Sequence, residues 1–198
     1  MAISKHLSGE TSEMVLAVCA VLVAVLLGLV LGGSVDRLGR LALRKRPLVW
    51  AAAVAQLVGV VVGGPVYPVA LAASALLIGA FLALNRGVRG TGLLALGLLS
   101  NAVVVGLNGA MPVSLAAAAR ADVTTQDLRS GDDPRHEPAG RGTTLRGLGD
   151  VIPVPAPVRP EVVSPGDVLV AAGLAQLVLV GMRPAAGAGR HGRHRRTA

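Results

Sequence analysis

Apolar residues fall in five long runs, at positions 14–31, 48–64, 66–84, 91–107 and 167–182. None of them holds Lys or Arg, and Asp167, at the start of the last, is their only acid. The runs are continuous, without the period-two alternation of barrel strands, so they predict helices. Four are close to the ~20 residues that cross a bilayer, and the fifth, at about 16, is the shortest. The pattern predicts an all-α integral membrane bundle of five transmembrane helices. A long external connector would join helices four and five. The division expected is a short external segment at 1–13, four helices within 14–107, the connector at 108–166, the fifth helix at 167–183, and a basic, disordered cytoplasmic tail at 184–198.

Charge between the runs gives the direction. Arg37, Arg40, Arg44, Lys45 and Arg46 follow the first run, and Arg86 and Arg89 follow the third. Arg183, Arg190, Arg193, Arg195 and Arg196 follow the fifth, whereas the link at Gly64-Pro65 is short and uncharged. An outside amino terminus and a cytoplasmic carboxyl terminus place twelve basic residues inside. Outside remain Lys5 and a connector with six Arg against seven acids. Long loops translocate largely regardless of charge, so this orientation obeys the positive-inside rule. Trp50 is then expected at the cytoplasmic interface and Tyr67 at the external one. Pro65 and Pro68 bracket a tight turn that makes helices two and three a hairpin. Gly28 with Gly32, and Gly59 with Gly63, are candidate close contacts between helices.

Composition agrees: 53% of the 198 residues are hydrophobic and 15% charged, too apolar for a water-facing surface. Aromatics make up 2%, which leaves no stacking platform for single-stranded nucleic acid. The net charge of +8 reads as topogenic. The expected partners are the bilayer, anionic lipid headgroups at the Arg37–Arg46 and Arg190–Arg196 runs, and other membrane proteins. Cys19 is the single cysteine, so no intramolecular disulfide forms, and it is expected as a small buried hydrophobe. Val18 before it argues against a lipoprotein site. Glu10 and Glu13, with so long a first run, argue against a cleaved signal peptide.

The connector carries the motifs. It opens on Asn108-Gly109-Ala110-Met111-Pro112-Val113-Ser114 and continues with Thr143-Thr144-Leu145 and Leu148-Gly149-Asp150-Val151-Ile152-Pro153. It closes on Val163-Ser164-Pro165-Gly166-Asp167-Val168. In these three motifs, and in order, the chain resembles a family of bacterial multi-pass membrane proteins known only as a domain of unknown function, number 5317. The likeness runs from about residue 14 to 182. Ala110 departs from the family's second Gly, and Thr144 stands where a basic residue is expected. The resemblance implies the architecture and lends no activity.

Each motif also has a structural reading. Gly109 can end the fourth helix in the left-handed conformation, and Ser114 can cap a short helix over Leu115–Ala121. Ser164, Pro165 and Asp167 form a capping-box start for the fifth helix. Gly149-Asp150 reads as a turn, and Pro153, Pro155, Pro157 and Pro160 as an extended path. Leu148, Val151 and Ile152 are expected to draw Asp150 back onto the bundle. Residues 121–142 read as a flexible insert.

Asn108, Ser114, Asp150, Ser164 and Asp167 are the candidate site, expected to gather at the outer boundary because Asn108 ends one helix and Asp167 begins the next. Gln56, Asn101 and Gln176, with Ser74 and Ser100, are the polar side chains inside spans, read as bonds between helices. His136, Asp150 and Asp167 could converge on a metal or act as acid and base, but they lack clustered ligand spacing. No cofactor motif is present. The first functional expectation is a small structural or interaction module of the bacterial cytoplasmic membrane. The alternatives are a membrane-embedded enzyme using Asp150 and Asp167, and a small transporter lined by Asn101, Asn108 and Gln176. The absence of buried charge pairs inside the spans weakens the transporter.

Overall fold

Each apolar run becomes a helix, and its ends follow from particular residues. The computed structural model describes residues 12–62, 66–130, 135–155 and 160–183. In chain order the helices are α1 (Ser12–Val30), α2 (Val35–Gly39), α3 (Pro47–Val62), α4 (Val66–Leu84), α5 (Thr91–Asn108), α6 (Leu115–Ala121), α7 (Gln126–Ser130) and α8 (Pro165–Met182). Four short strands occupy the connector: β1 (Met111–Val113), β2 (His136–Pro138), β3 (Ile152–Val154) and β4 (Glu161–Val163). Pro47 opens α3, where its missing N–H has no intrahelical role. Gly109 ends α5 at φ 89°, a conformation that costs glycine nothing. Ser164 caps α8 with the full capping box, Pro165 following at the first turn. The cap extends α8 to 18 residues, longer than its apolar run. Of the described helices, α5 and α8 are long and apolar enough to cross a membrane.

α8 is the centre of the bundle. It packs against α1 on one side and α5 on another, while α3 and α4 pack as a pair. α1 runs parallel to α8, since Gly28 near its end lies against the Met182 side chain and Ser34 N donates to Met182 O at 3.0 Å. α5 runs antiparallel to α8. A Cβ on Gly97 would lie 2.5 Å from Gly166 O, and one on Gly173 would lie 2.7 Å from Leu94 N. These helices touch backbone to backbone, and only glycine permits it. Phe81 and Leu82 of α4 join Leu94 in an apolar cluster against Val170, Leu174 and Leu177 of α8.

Several expectations change here. Gly28 is a helix contact, but Gly32 faces open space at φ +76° and serves as a turn. Gly33 takes its place beside Met182. Gly59 is buried on α3, whereas Gly63 and the turn at 63–65, like the Tyr67 and Pro68 side chains, lie outside the described residues. So do Lys5, Glu10 and the tail with Arg190–Arg196. Cys19 is exposed on α1, the reverse of the burial expected of it, because α8 packs on another stripe of that helix. Trp50 is exposed in the first turn of α3.

The connector is more ordered than its composition suggests. β2 pairs with β1 in parallel, His136 opposite Met111 and Pro138 opposite Val113. Thus part of the expected flexible insert is held by backbone bonds, and α7 forms within it. β3 and β4 pair antiparallel, Ile152 opposite Val163, which realises the extended path around Pro153. Residues 131–134 and 156–159, Pro157 among them, lie outside the described residues. α6 packs on β3 and β4, burying Ala117, Ala118 and Ala121.

Candidate functional site

The motif residues fall into three hydrogen-bonded groups. The first sits where α8 begins. Asp167 accepts from Asn101 Nδ2 at 2.7 Å through Oδ1, and from Ser164 N at 2.8 Å through Oδ2. Ser164 Oγ accepts from Asp167 N at 3.0 Å. It also lies 2.7 Å from Asp167 Oδ2 and 3.0 Å from Asn101 Oδ1, and its one proton serves one of them at a time. Ser164 is fully buried. A Cβ on Gly166 would overlap Asn101 Oδ1, so glycine is what lets the amide reach the cap. Asn101, read from sequence as a helix-to-helix bond, makes that bond with a site residue.

The second group holds the connector to the end of α5. Asn108 Nδ2 donates to Val104 O at 2.8 Å and to Thr144 O at 3.0 Å. Thr144 N donates to Asn108 Oδ1 at 2.8 Å. The amide therefore pairs with the Thr144 backbone in both directions, as a strand neighbour would. Asn108 does not share a level with Asp167. It stands seven residues beyond Asn101 along α5, about 10 Å further at 1.5 Å per residue. α5 overtops the start of α8, and that offset separates two residues expected together.

The third group is built on β1. Ser114 N donates to Asp150 O at 2.8 Å, and Asp150 N donates to Pro112 O at 2.9 Å. Ser114 Oγ caps α6, accepting from Ala117 N at 3.3 Å. The Asp150 carboxylate is buried, with Oδ2 3.8 Å from His136 Nε2. β1 thus carries His136 on one flank through β2 and Asp150 on the other through the Val113 bridge. The apolar neighbours behave unlike the expectation: Leu148 and Ile152 are more exposed than Asp150. Backbone pairing with β1, not burial of those side chains, sets the position of Asp150. Among the described residues no three His, Cys, Asp or Glu side chains gather as metal ligands.

An open depression of about 360 Å³ lies beside Asn108, lined by Leu107, Glu137, Pro138, Gly140, Gly142 and Thr143. The polar candidates on the apolar helices divide. Ser74 on α4 is buried, but Gln56 and Gln176 are exposed on α3 and α8, not set between helices of this chain.

Three polar positions were not read from the sequence. Asn85 follows α4 and clamps the backbone before α3: Arg44 N donates to its Oδ1 at 2.7 Å, and its Nδ2 donates to Arg44 O at 3.0 Å. Thr91 Oγ1 donates to Val88 O at 2.7 Å beside it. The available signal was repetition, since Leu84-Asn85 and Leu107-Asn108 close α4 and α5 with the same dipeptide. Glu161, buried on β4, had no sequence signal beyond its place in a Pro-rich stretch.

No curated protein and no solved structure matches the chain. A family of unknown function (DUF5317) matches residues 40–179. That range runs from the basic segment before α3, through all three motif groups, to the last turn of α8. The chain therefore belongs to the DUF5317 family.

Proposed function

We propose that the chain is a five-span protein of the bacterial cytoplasmic membrane, a small structural or interaction module with its amino terminus outside. The observation that carries this reading is the separation of the two ends. Taken in order, α1, α3, α4, α5 and α8 reverse direction at each step. The links holding Arg37 to Arg46, Arg86 and Arg89, together with Arg183, then share one end, while the three motif groups share the other. Apolar character without burial supports it too: only 22% of α5 and 33% of α8 are buried. Core helices of a water-soluble protein bury most of their length. Leu22, Leu26, Leu57, Val61, Leu76 and Leu99 are exposed, as lipid-facing residues are. The Arg37–Arg46 run is proposed to meet anionic headgroups, and the tail run to do likewise.

The module reading follows from how the motif side chains are engaged. Asn101, Asn108, Ser114, Ser164 and Asp167 bond helix ends and connector backbone. They work as fasteners for a cover over the outer end of the bundle. Topology is tested with single cysteines at Lys5, Gly140, Arg44 and Arg195 in a Cys19→Ala background. An impermeant thiol reagent on intact cells should label the first two and spare the others. Labelling at 195 overturns the orientation.

A second reading, an enzyme at the outer interface, is favoured by one observation, the buried Asp150 facing His136 at 3.8 Å. Asp150→Asn separates the two readings. A fastener tolerates the amide, which keeps the shape and an acceptor, whereas acid–base chemistry through His136 is lost.

A further inference from the structure

The basic end holds its charge in a fixed arrangement. From Arg37 to Ala121 the chain has no Asp or Glu, and two basic links fall within that stretch. Asn85, itself buried, ties one to the other. Its amide pairs both ways with the backbone of Arg44, at 2.7 and 3.0 Å, and Arg86 is the next residue. The turn it grips is also pinned. Lys45 stands at φ 56°, the Arg46 guanidinium donates to Leu41 O, and Leu43 and Leu48 pack against Phe81 and Leu82. Arg44, Lys45, Arg86 and Arg89 stay exposed, and among the described residues no acid pairs with them. Orienting a membrane protein requires only that such charges lie near the span ends. It does not require one link to be bonded to the other. Like charges held together repel, so the arrangement suits an anion that both links share.

We propose that Arg44, Lys45, Arg86 and Arg89 form one site for a phospholipid whose headgroup carries two phosphates, each link facing one of them. Charge and depth together name the occupant. Basic pockets between spanning helices on the cytoplasmic side hold headgroups of this kind. Just deeper, exposed apolar side chains follow on both helices: Trp50, the fourth residue of α3, at 74%, and Leu84, the last of α4, at 45%. A soluble anion would use the cations and leave these uncovered, whereas a lipid supplies phosphates at one level and acyl chains at the next. A single phosphate would leave one of the two links unmatched. The inference rests on the membrane reading above and narrows its anionic headgroups to one class.

Trp50 is the only tryptophan and reports on the site. The full chain would be reconstituted in phosphatidylcholine vesicles in which a small, equal share of acyl chains is brominated. The bromine is carried by cardiolipin, by phosphatidylglycerol or by phosphatidylcholine itself, and it quenches Trp50 on contact. Cardiolipin, with two phosphates, is expected to quench beyond the other two. Arg44→Gln and Arg86→Gln should each weaken that preference about fivefold, the scale of one basic residue at an anionic surface. The clamp survives both, since it uses only the backbone of residue 44. Arg120→Gln, at the motif end, should change nothing, and an equal loss there would reduce the site to net charge and overturn it. Equal quenching by cardiolipin and phosphatidylglycerol also overturns it. Loss with only one of the two arginine variants overturns the sharing between links. Reversal by soluble pyrophosphate at matched phosphate overturns the lipid as occupant. Quenching by phosphatidylcholine with no excess from cardiolipin overturns the site and leaves the membrane reading standing. No quenching by any brominated lipid takes Trp50 out of the bilayer and overturns both.

Discussion

One device fastens both ends of the bundle. At the basic end Asn85 donates to Phe81 O at 2.8 Å, four residues back, and pairs both ways with the Arg44 backbone. At the motif end Asn108 donates to Val104 O at 2.8 Å, also four residues back, and pairs both ways with the Thr144 backbone. The two differ in burial. Asn85 is 3% exposed, while Asn108 is half-buried beside the open depression. Water that reaches a broken clamp can satisfy the groups it leaves. Identical bonds should therefore weigh more at the basic end, making that end the lock and the motif end the latch.

The seam that joins the ends supplies the largest test. Gly97 and Gly166 face each other across α5 and α8, and the site group at Asp167 depends on that spacing. Gly97→Leu would drive a side chain into the Gly166 carbonyl. A loss of about 3 kcal/mol is expected, at the upper end for overpacking, read as thermal unfolding of the purified protein in mild detergent. Both ends should loosen together. An unchanged melting temperature would show that the seam is not shared scaffold.

The clamps come next, and they test the comparison directly. Asn85→Ala strands the part-buried Arg44 N–H and C=O and opens a hole where a buried side chain stood, at about 1–3 kcal/mol. Asn108→Ala removes the same bonds where water can replace them, so about 0.5–1.5 kcal/mol is expected, the net value of an ordinary hydrogen bond. The ordering is the prediction. If Asn108→Ala proves the more costly, burial does not set the weight of these clamps.

The asymmetry also explains what could be read from the chain. The runs of α1, α3, α4, α5 and α8 were legible because an apolar run is a local property. So were the Ser114 cap, the Gly109 stop and the Ser164–Asp167 box, whose partners lie within four residues. The long-range partners were not. Nothing in Asn101 announces Asp167, sixty-six residues on, and Asn85 gave no hint of Arg44. The offset that sets Asn108 about 10 Å beyond Asn101 along α5, and so away from Asp167, follows from how far α5 overtops α8, a packing result that no local spacing records. The glycines that set the seam stand seven apart, Gly90 with Gly97 and Gly166 with Gly173. Pairs four apart drew the attention instead. His136 reached Asp150 only because the three-residue β2 pairs on one flank of β1 and a single bridge, Val113 to Asp150, forms on the other, and pairings so short show no period in the sequence.

The smallest effect sharpens the latch. Thr144→Lys places at the point that Asn108 grips the basic side chain that the family resemblance leads one to expect there. The grip uses only the backbone of residue 144, its N–H and its carbonyl, which any residue except proline supplies. The side chain is exposed, so a lysine can extend outward without displacing a neighbour. A change within about 0.5 kcal/mol is therefore expected, as for surface substitutions away from special features. Thr144→Pro is the contrasting variant, because it removes the N–H that Asn108 Oδ1 accepts, and it should cost at least as much as Asn108→Ala. Equal melting of Thr144→Pro and the parent protein would mean that the latch bears no load. A large shift with Thr144→Lys would mean that the side chain, and not only the backbone, contributes to the latch.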